Sequence, residues 1–136
     1  MTKLFLSVFL TWGFANMLKP VITLIRDKRI NRETIFTNGG MPSGHTSLVA
    51  SSAVALFLET GLSPYFLTSL VLAFIVIYDA LRVRTLIGSQ ARILNRLLAE
   101  SGETERLEEN VGHTLAEVLV SLALSLVIPI LVYSVF

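Results

Sequence analysis

The sequence contains no cysteine and few charged residues, and each of these absences excludes a class of function. Without cysteine, the 136 residues form no disulfide, bind no metal through thiolates and use no thiol as a nucleophile. Charged residues make up 15% of the chain, whereas soluble domains average about 25%. The net charge is only +1, and no basic stretch carries the interleaved aromatic residues of nucleic-acid-binding proteins. We therefore expect no nucleic-acid partner, and the length predicts one domain over residues 1–136.

What the chain does contain is apolar sequence, with 53% hydrophobic residues. A soluble domain of this size exposes too much surface to hide that area from water. Residues 4–25 form an apolar run long enough, at about 1.5 Å per helical residue, to cross a hydrocarbon core of about 30 Å. Three more apolar segments follow, at 43–58, 65–81 and 115–136, of which the first is short for a full span. The sequence thus predicts an all-α, multi-pass integral membrane bundle of about four transmembrane helices.

Residues 86–100, between the third and fourth predicted spans, have a different pattern. Apolar side chains recur there at helical spacing, with arginine and asparagine between them: Ile87, Ala91, Leu94 and Leu98. The pattern is typical of an amphipathic helix lying in the membrane interface. A helix docked on the bundle has the same pattern. The acidic residues 101–110 are predicted to form a solvated segment.

The basic residues are distributed unevenly along this topology. Ten of the eleven lysine and arginine residues fall on the side of the membrane that holds the loops after the first and third spans. Lys3 falls on the other side. Cytoplasmic loops are enriched in Lys and Arg, so we predict that this side faces the cytoplasm, with the protein in the cell membrane. Both histidines fall on the same side, as do Asp79 and Glu117. Ionisable groups at the edges of apolar spans are costly and indicate function.

Three groups of residues carry possible chemistry. The run Met-Pro-Ser-Gly-His at 41–45 opens an apolar segment, and a helix N-terminus there would present N–H groups to an anion. The alternative is a capped helix whose His45 only reaches the interface. Lys19 and Arg26 are seven residues apart, on one face of a continuous helix, where they would hold a phosphate together. Pro20 could kink that helix, and the alternative for the pair is two cations extending to the interface.

His113 and Glu117 form the third group, at the start of the last apolar segment. Their i,i+4 spacing lets a carboxylate fix the tautomer of an imidazole and stabilise its cation. The alternative is a surface ion pair. Both histidines also lie in the tripeptide Gly-His-Thr, at 44–46 and 112–114, and each copy opens an apolar segment.

These residues together resemble the type 2 phosphatidic acid phosphatase superfamily, which includes the vanadium haloperoxidases. Its first motif is Lys, six residues, then Arg-Pro, matched by Lys19 and Arg26 except that Asp27 replaces the proline. Its second motif, Pro-Ser-Gly-His, is intact and contains Ser43 and Gly44.

The third motif, Ser-Arg, five residues, His, three residues, Asp, is only partly present. His113 matches, Glu117 replaces the aspartate, and Leu107 occupies the arginine position. Further segments, including Tyr-Asp-Ala at 78–80 and Val-Arg at 83–84, resemble the divergent branch of the superfamily. In that branch we expect Arg84 to supply the missing phosphate contact and Asp79 to orient Arg84 or Lys19.

The resemblance implies a metal-independent phosphoric monoester hydrolase, without cofactor, that forms a phosphohistidine intermediate. His113 would attack phosphorus and His45 would protonate the leaving alkoxide. The phosphate oxygens would be bound by the remaining predicted site residues: Lys19, Arg26, Ser43, Gly44 and Arg84.

The predicted substrate is a lipid phosphate, with phosphatidylglycerophosphate as the leading candidate. Phosphatidic acid and an isoprenyl phosphate or diphosphate are the alternatives. Two other classes of function also remain: a non-enzymatic protein that binds anionic lipid headgroups, and, third, a metal transporter. A homodimer is compatible with the sequence, which specifies no interface.

Overall fold

The structure, a computed structural model, describes residues 1–27 and 40–136, apart from the side chains of Arg26 and Asp27. Within these ranges the chain is helical and contains no strand. The helices are α1 (Thr2–Asp27), α2 (Gly44–Thr60), α3 (Pro64–Tyr78), α4 (Arg84–Glu100) and α5 (Leu115–Val135). A five-residue π-helical turn, Asp79–Val83, joins α3 to α4. The connector, residues 101–114, leads from α4 to α5 and has no regular secondary structure beyond a turn at its start.

Short side chains next to glycine and proline set where the helices begin and end. The Ser43 hydroxyl accepts a hydrogen bond from the Thr46 backbone N–H at 3.3 Å and caps α2. Gly61 ends that helix with a φ of 63°, a conformation that glycine adopts without steric cost. Ser63 caps α3, whose first residue is a proline.

Three helices are long and apolar enough to cross a membrane: Thr2–Ile25, Pro64–Glu100 and Leu115–Val135. The prediction of an all-α membrane bundle is therefore confirmed. The segment predicted as a short second span is α2, whose 17 residues extend about 25 Å. It lies in the middle of the bundle, in contact with α1, α3 and α5. The bundle thus has three full-length spans around a shorter central helix.

The third span and the amphipathic segment, predicted as separate elements, form one continuous helix. The stretch Pro64–Glu100 is 37 residues long, because the π turn joins α3 to α4 and neither glycine nor proline interrupts residues 79–87. Its length of about 55 Å exceeds the hydrocarbon thickness of about 30 Å. On α4, Gly88 and Ala91 are buried, whereas Leu86 and Ile93 are exposed. Of the positions predicted for the apolar face, Ala91 is buried whereas Ile87 and Leu94 are exposed, on a helix that extends directly from the third span.

The interior of the bundle is built from small residues, while many large apolar side chains point outward. The buried residues of α2 are Thr46, Ser47, Ala50, Ser51, Ala53 and Ala55. On α5, the Ser125 hydroxyl donates to the Ser47 carbonyl at 3.2 Å. Small and hydroxyl residues let membrane helices approach closely, since lipid already solvates the large apolar groups.

This packing predicts that volume added to α2 destabilises the bundle. Ala55 is fully buried, so Ala55→Leu should cost about 1–3 kcal/mol through overpacking, read as a lower melting temperature in detergent. The matched control is Ala123→Leu, because Ala123 is exposed on α5 and its enlarged side chain would face lipid. Equal melting temperatures for the two variants would contradict the packing described here.

Candidate active site

His113 lies just before α5, and its ring is held by the first turn of that helix. Its Nδ1 is 2.9 Å from the Glu117 carboxylate, and the side chain is only 1% exposed. The same carboxylate oxygen accepts from the Thr114 backbone N–H, while the Thr114 hydroxyl accepts from the Glu117 N–H. This reciprocal capping box fixes the carboxylate, and the carboxylate fixes the ring.

The contact with Glu117 also determines which ring nitrogen of His113 is free to react. A carboxylate only accepts, so in the neutral imidazole the proton sits on Nδ1 and the lone pair on Nε2. Nε2 is buried and has no hydrogen-bond partner among the described residues. Buried polar atoms are normally paired, so this one requires an explanation, and a catalytic role is one that fits a free imidazole lone pair.

The π turn brings a cation to the same place. An α-helical turn has no i,i+5 bond, but here the Arg84 backbone N–H donates to the Asp79 carbonyl. The Arg84 side chain then donates from Nε to the Asp79 carboxylate at 2.8 Å. Next to this pair, the buried Ala80 carbonyl accepts from the His113 backbone N–H at 3.1 Å. One distorted turn therefore positions both an arginine and a histidine.

The other predicted site residues approach from α1 and α2. His45, in the first turn of α2, is exposed and lies within electrostatic reach of Lys19, Asp79, Arg84 and His113. Lys19 in turn interacts electrostatically with Glu117. Groups from four helical elements thus meet at one end of the bundle.

The segment before α2 is held against α1 and α5. The Lys19 side chain passes 3.9 Å from the position that a Cβ on Gly40 would occupy. Asn16 of α1 covers Gly44, at 3.4 Å from the corresponding Cβ position. The helix α1 continues through Pro20, so the kink considered from the sequence does not interrupt it. The side chain of Arg26 lies outside the described residues.

The backbone N–H of Ser43 was predicted to bind phosphate, but in the structure it has another partner. This N–H donates to the Ser121 hydroxyl at 2.6 Å. The N–H groups of Gly44 and His45, in the first helical turn, have no intrahelical carbonyl to bind and are the better-placed anion donors. Sequence reasoning missed Ser121, whose signal was the i,i+4 spacing of Glu117, Ser121 and Ser125 within an apolar helix.

The two Gly-His-Thr tripeptides occupy different positions relative to their helices. The first copy lies inside α2, after the capping residue Ser43, so His45 is helical. In the second copy Thr114 is itself the cap of α5, so His113 precedes the helix. As a result His45 is exposed in a helical turn, while His113 is buried against the bundle.

Other parts of the described chain contain no comparable group of residues. No cluster of three or more His, Asp or Glu side chains in the described ranges is arranged to hold a metal ion. A cavity of about 400 Å³ opens at the opposite end of the bundle, lined by Lys3, Glu59 and Tyr133 among others. None of the predicted site residues lines that cavity.

Known proteins with similar sequences identify the family of the chain. The model of the Divergent PAP2 family matches residues 1–128. A relative from Bacillus subtilis (strain 168), the uncharacterized membrane protein YuiD, is 31% identical over 122 residues, with 77% of each chain covered. No solved structure matches the chain significantly. With its motif residues gathered at one end of a membrane helix bundle, the chain belongs to the divergent PAP2 family.

Proposed function

We propose that this membrane protein is a phosphatase of a lipid phosphate, with a single catalytic domain over residues 1–136 and His113 as its nucleophile. The observation that carries the proposal is the His113 ring, bound at Nδ1 by Glu117 and unpartnered at the buried Nε2. A carboxylate that orients a histidine in this way also stabilises the cation that forms when the ring reacts.

The proposed reaction proceeds in two steps. In the first, His113 Nε2 attacks phosphorus and the bond from phosphorus to the lipid oxygen breaks. His45, protonated, gives its proton to the departing alkoxide, which leaves as the lipid alcohol. In the second, water attacks the phosphohistidine, His45 takes a proton from that water, and phosphate is released. Both nucleophile and proton donor are side chains, so the scheme requires no metal or cofactor.

The charge of the phosphoryl group is balanced by cations from two helices. Arg84 presents a planar, permanently charged group that its ion pair with Asp79 holds in place. Lys19 adds a point charge from α1, and the first turn of α2 adds the N–H groups of Gly44 and His45. Arg26, about two turns after Lys19 on α1, remains a predicted fourth contact with the phosphoryl group.

The substrate class follows from where the site lies. It is at the ends of helices that cross the membrane, beside the basic residues of α4, so a phosphate at the headgroup level of a lipid reaches it. By the positive-inside rule that surface is cytoplasmic, in the cell membrane. Phosphatidylglycerophosphate is our first candidate, with phosphatidic acid and isoprenyl phosphates as alternatives.

A second candidate function is binding of anionic lipid headgroups without catalysis. Arg82, two residues from Arg84, favours it, since its side chain is exposed. A headgroup-binding protein has no need of a buried histidine held by a carboxylate, which is why catalysis is our first proposal.

The central experiment is phosphate release from phosphatidylglycerophosphate in detergent with EDTA, comparing the wild type with His113→Ala. We expect the variant to lose at least about a thousandfold in kcat, because the nucleophile is removed. Glu117→Gln should also lose activity, by up to about 10⁴-fold, since an amide can donate to Nδ1 and favour the wrong ring tautomer. Activity that survives in His113→Ala would contradict the mechanism, and a wild type inactive on every lipid phosphate would favour the headgroup-binding function.

The proposed role of the π turn, which is to position Arg84 for phosphate, can be tested by comparing Arg84 with the nearby Arg82. Arg84→Lys replaces the planar fork by a point charge and should raise KM and lower kcat, together about 100-fold in kcat/KM. The matched control is Arg82→Lys, which makes the same change two residues away on an exposed side chain and should change kcat/KM less than twofold. Equal losses in the two variants would mean that Arg84 has no special contact with phosphate.

The two histidines also predict a pH profile. His45 must carry a proton, so activity should fall as the pH rises, and His113 must be neutral, so activity should also fall as the pH drops. Because imidazoles titrate near neutrality, kcat/KM should be bell-shaped with its maximum near neutral pH. A profile that stays flat from about pH 5 to about pH 9 would rule out a pair of catalytic histidines.

A further inference from the structure

The connector runs back along α4 in the opposite direction to the helix, and it is bound at several points. Going towards the membrane, connector residues 107, 109, 112 and 113 meet helix residues 95, 88, 85 and 80 in turn. The last of these contacts is the bond from the His113 backbone N–H to the Ala80 carbonyl. The connector therefore ends at the proposed nucleophile.

The contact furthest from the site is made by Asn95. Its side-chain amide donates to the Leu107 carbonyl at 2.9 Å, and its side-chain oxygen accepts from the Leu107 N–H at 2.8 Å. An asparagine pairs with both backbone groups of one residue only at one position, so this contact defines the register of the connector on the helix.

Asn95 also binds Glu109, two residues further along the connector. Its amide donates to one carboxylate oxygen at 2.8 Å, and Arg92 lies 3.4 Å from the other. The hydrogen bond from Asn95 and then the interactions with Arg92 lower the pKa of Glu109 below its usual value. The carboxylate therefore stays charged, and its contact with Asn95 is kept, through the neutral pH range.

Two glycines make the remaining contacts possible. A Cβ on Gly88 would overlap the Glu109 carbonyl oxygen, so only glycine lets the connector lie this close to α4. A Cβ on Gly112 would lie 2.9 Å from the backbone N of Thr85, next to the π turn. These are backbone atoms of ordered elements, which do not move aside as a flexible side chain does.

The lengths of the two antiparallel stretches match. From residue 107 to residue 113 an extended chain covers about 20 Å, at about 3.3 Å per residue. From residue 80 to residue 95 the helix rises about 22 Å, at about 1.5 Å per residue. The two lengths agree to within about 2 Å, so the connector has little chain to spare between its two attachments.

We propose that Asn95 is a positioning residue, which locks the connector onto α4 and so holds His113 in register with Arg84 on the same helix, an inference that rests on the proposed function. Arg84 and Asn95 belong to one helix, so the connector, together with the bonds of His113 to Ala80 and Glu117, sets the distance between Arg84 and the proposed nucleophile. Asn95 itself touches no substrate.

The first test uses the fact that the sequence contains only two histidines. In a sample labelled with ¹³C at histidine, the ring signals of His45 and His113 can be assigned from the single variants His45→Asn and His113→Asn. Asn95→Ala should shift or split the His113 signals and leave those of His45 in place. The control Gln90→Ala removes an exposed amide from α4 and should change neither. His113 signals that coincide in Asn95→Ala and wild type would overturn the proposal, whether or not the protein proves to be a phosphatase.

The second test is a rescue that separates a specific contact from general instability. Asn95→Asp places two carboxylates together and should displace the His113 signals. The double variant N95D/E109Q exchanges donor and acceptor, so the contact with residue 109 forms again, but a carboxylate at 95 cannot donate to the Leu107 carbonyl. The His113 signals should therefore return part of the way from the Asn95→Asp positions towards the wild-type positions. Failure of the double variant to shift them in that direction would count against the proposal even if Asn95→Ala fails to fold.

Kinetics then connect the position of His113 to the reaction. In an active wild type, Asn95→Ala should lower kcat about tenfold and leave KM within about twofold, because Arg84 and Lys19 still bind phosphate. A displaced His113 signal with unchanged kcat would show that Asn95 does not position the nucleophile for reaction. A wild type without any phosphatase activity would instead refute the proposed function, and the ring signals would still decide whether Asn95 holds His113.

Discussion

The hydrogen bond between His113 and Glu117 is the interaction on which both the site and the start of α5 depend. Glu117 is 8% exposed, and a buried carboxylate is costly unless its charge is compensated. Here it lies in the first turn of a helix, where the helix dipole favours negative charge, and it accepts from a backbone N–H and from the imidazole. Hydrogen bonds to a charged group are worth about 1.5–3 kcal/mol each. The same carboxylate therefore begins the helix and orients the histidine.

Much of this arrangement could be predicted from local sequence. The apolar runs predicted the membrane helices, because hydropathy over some twenty residues is a local property. The i,i+4 spacing predicted the contact of His113 with Glu117, and the serines before α2 and α3 fit the caps that form. What failed was the break between the third span and the amphipathic helix. The apolar segment was predicted to end at residue 81 and the amphipathic helix to begin at 86, but no breaker residue is present between them, and a π turn carries the helix through.

The contacts that complete the site were beyond prediction because they join distant parts of the chain. Ser121 binds the backbone of Ser43, and 78 positions separate the two. Asn95 lies in a segment, Leu-Asn at 94–95, that resembles the divergent branch, but its contacts with Leu107 and Glu109 appear only once the connector lies beside it. Gly88 is a second example. Only glycine fits at this position because the Glu109 carbonyl lies against it, and that contact is not visible in the local sequence. These residues become neighbours only through the arrangement of the helices in the fold, which no local pattern of the sequence shows.

The short central helix makes the protein sensitive to the thickness of its membrane. A helix of about 25 Å does not reach both edges of a hydrocarbon core of about 30 Å, whereas its three neighbours do. Where α2 faces lipid, local thinning of the bilayer or a tilt of the helices accommodates the difference, at a cost of a fraction of a kcal/mol per Å of mismatch. Because His45 lies in the first turn of α2, the depth of that helix sets how far a lipid headgroup would descend to reach the proposed catalytic groups. Acyl-chain length thereby becomes a determinant of access to the site, separate from the chemistry of the headgroup.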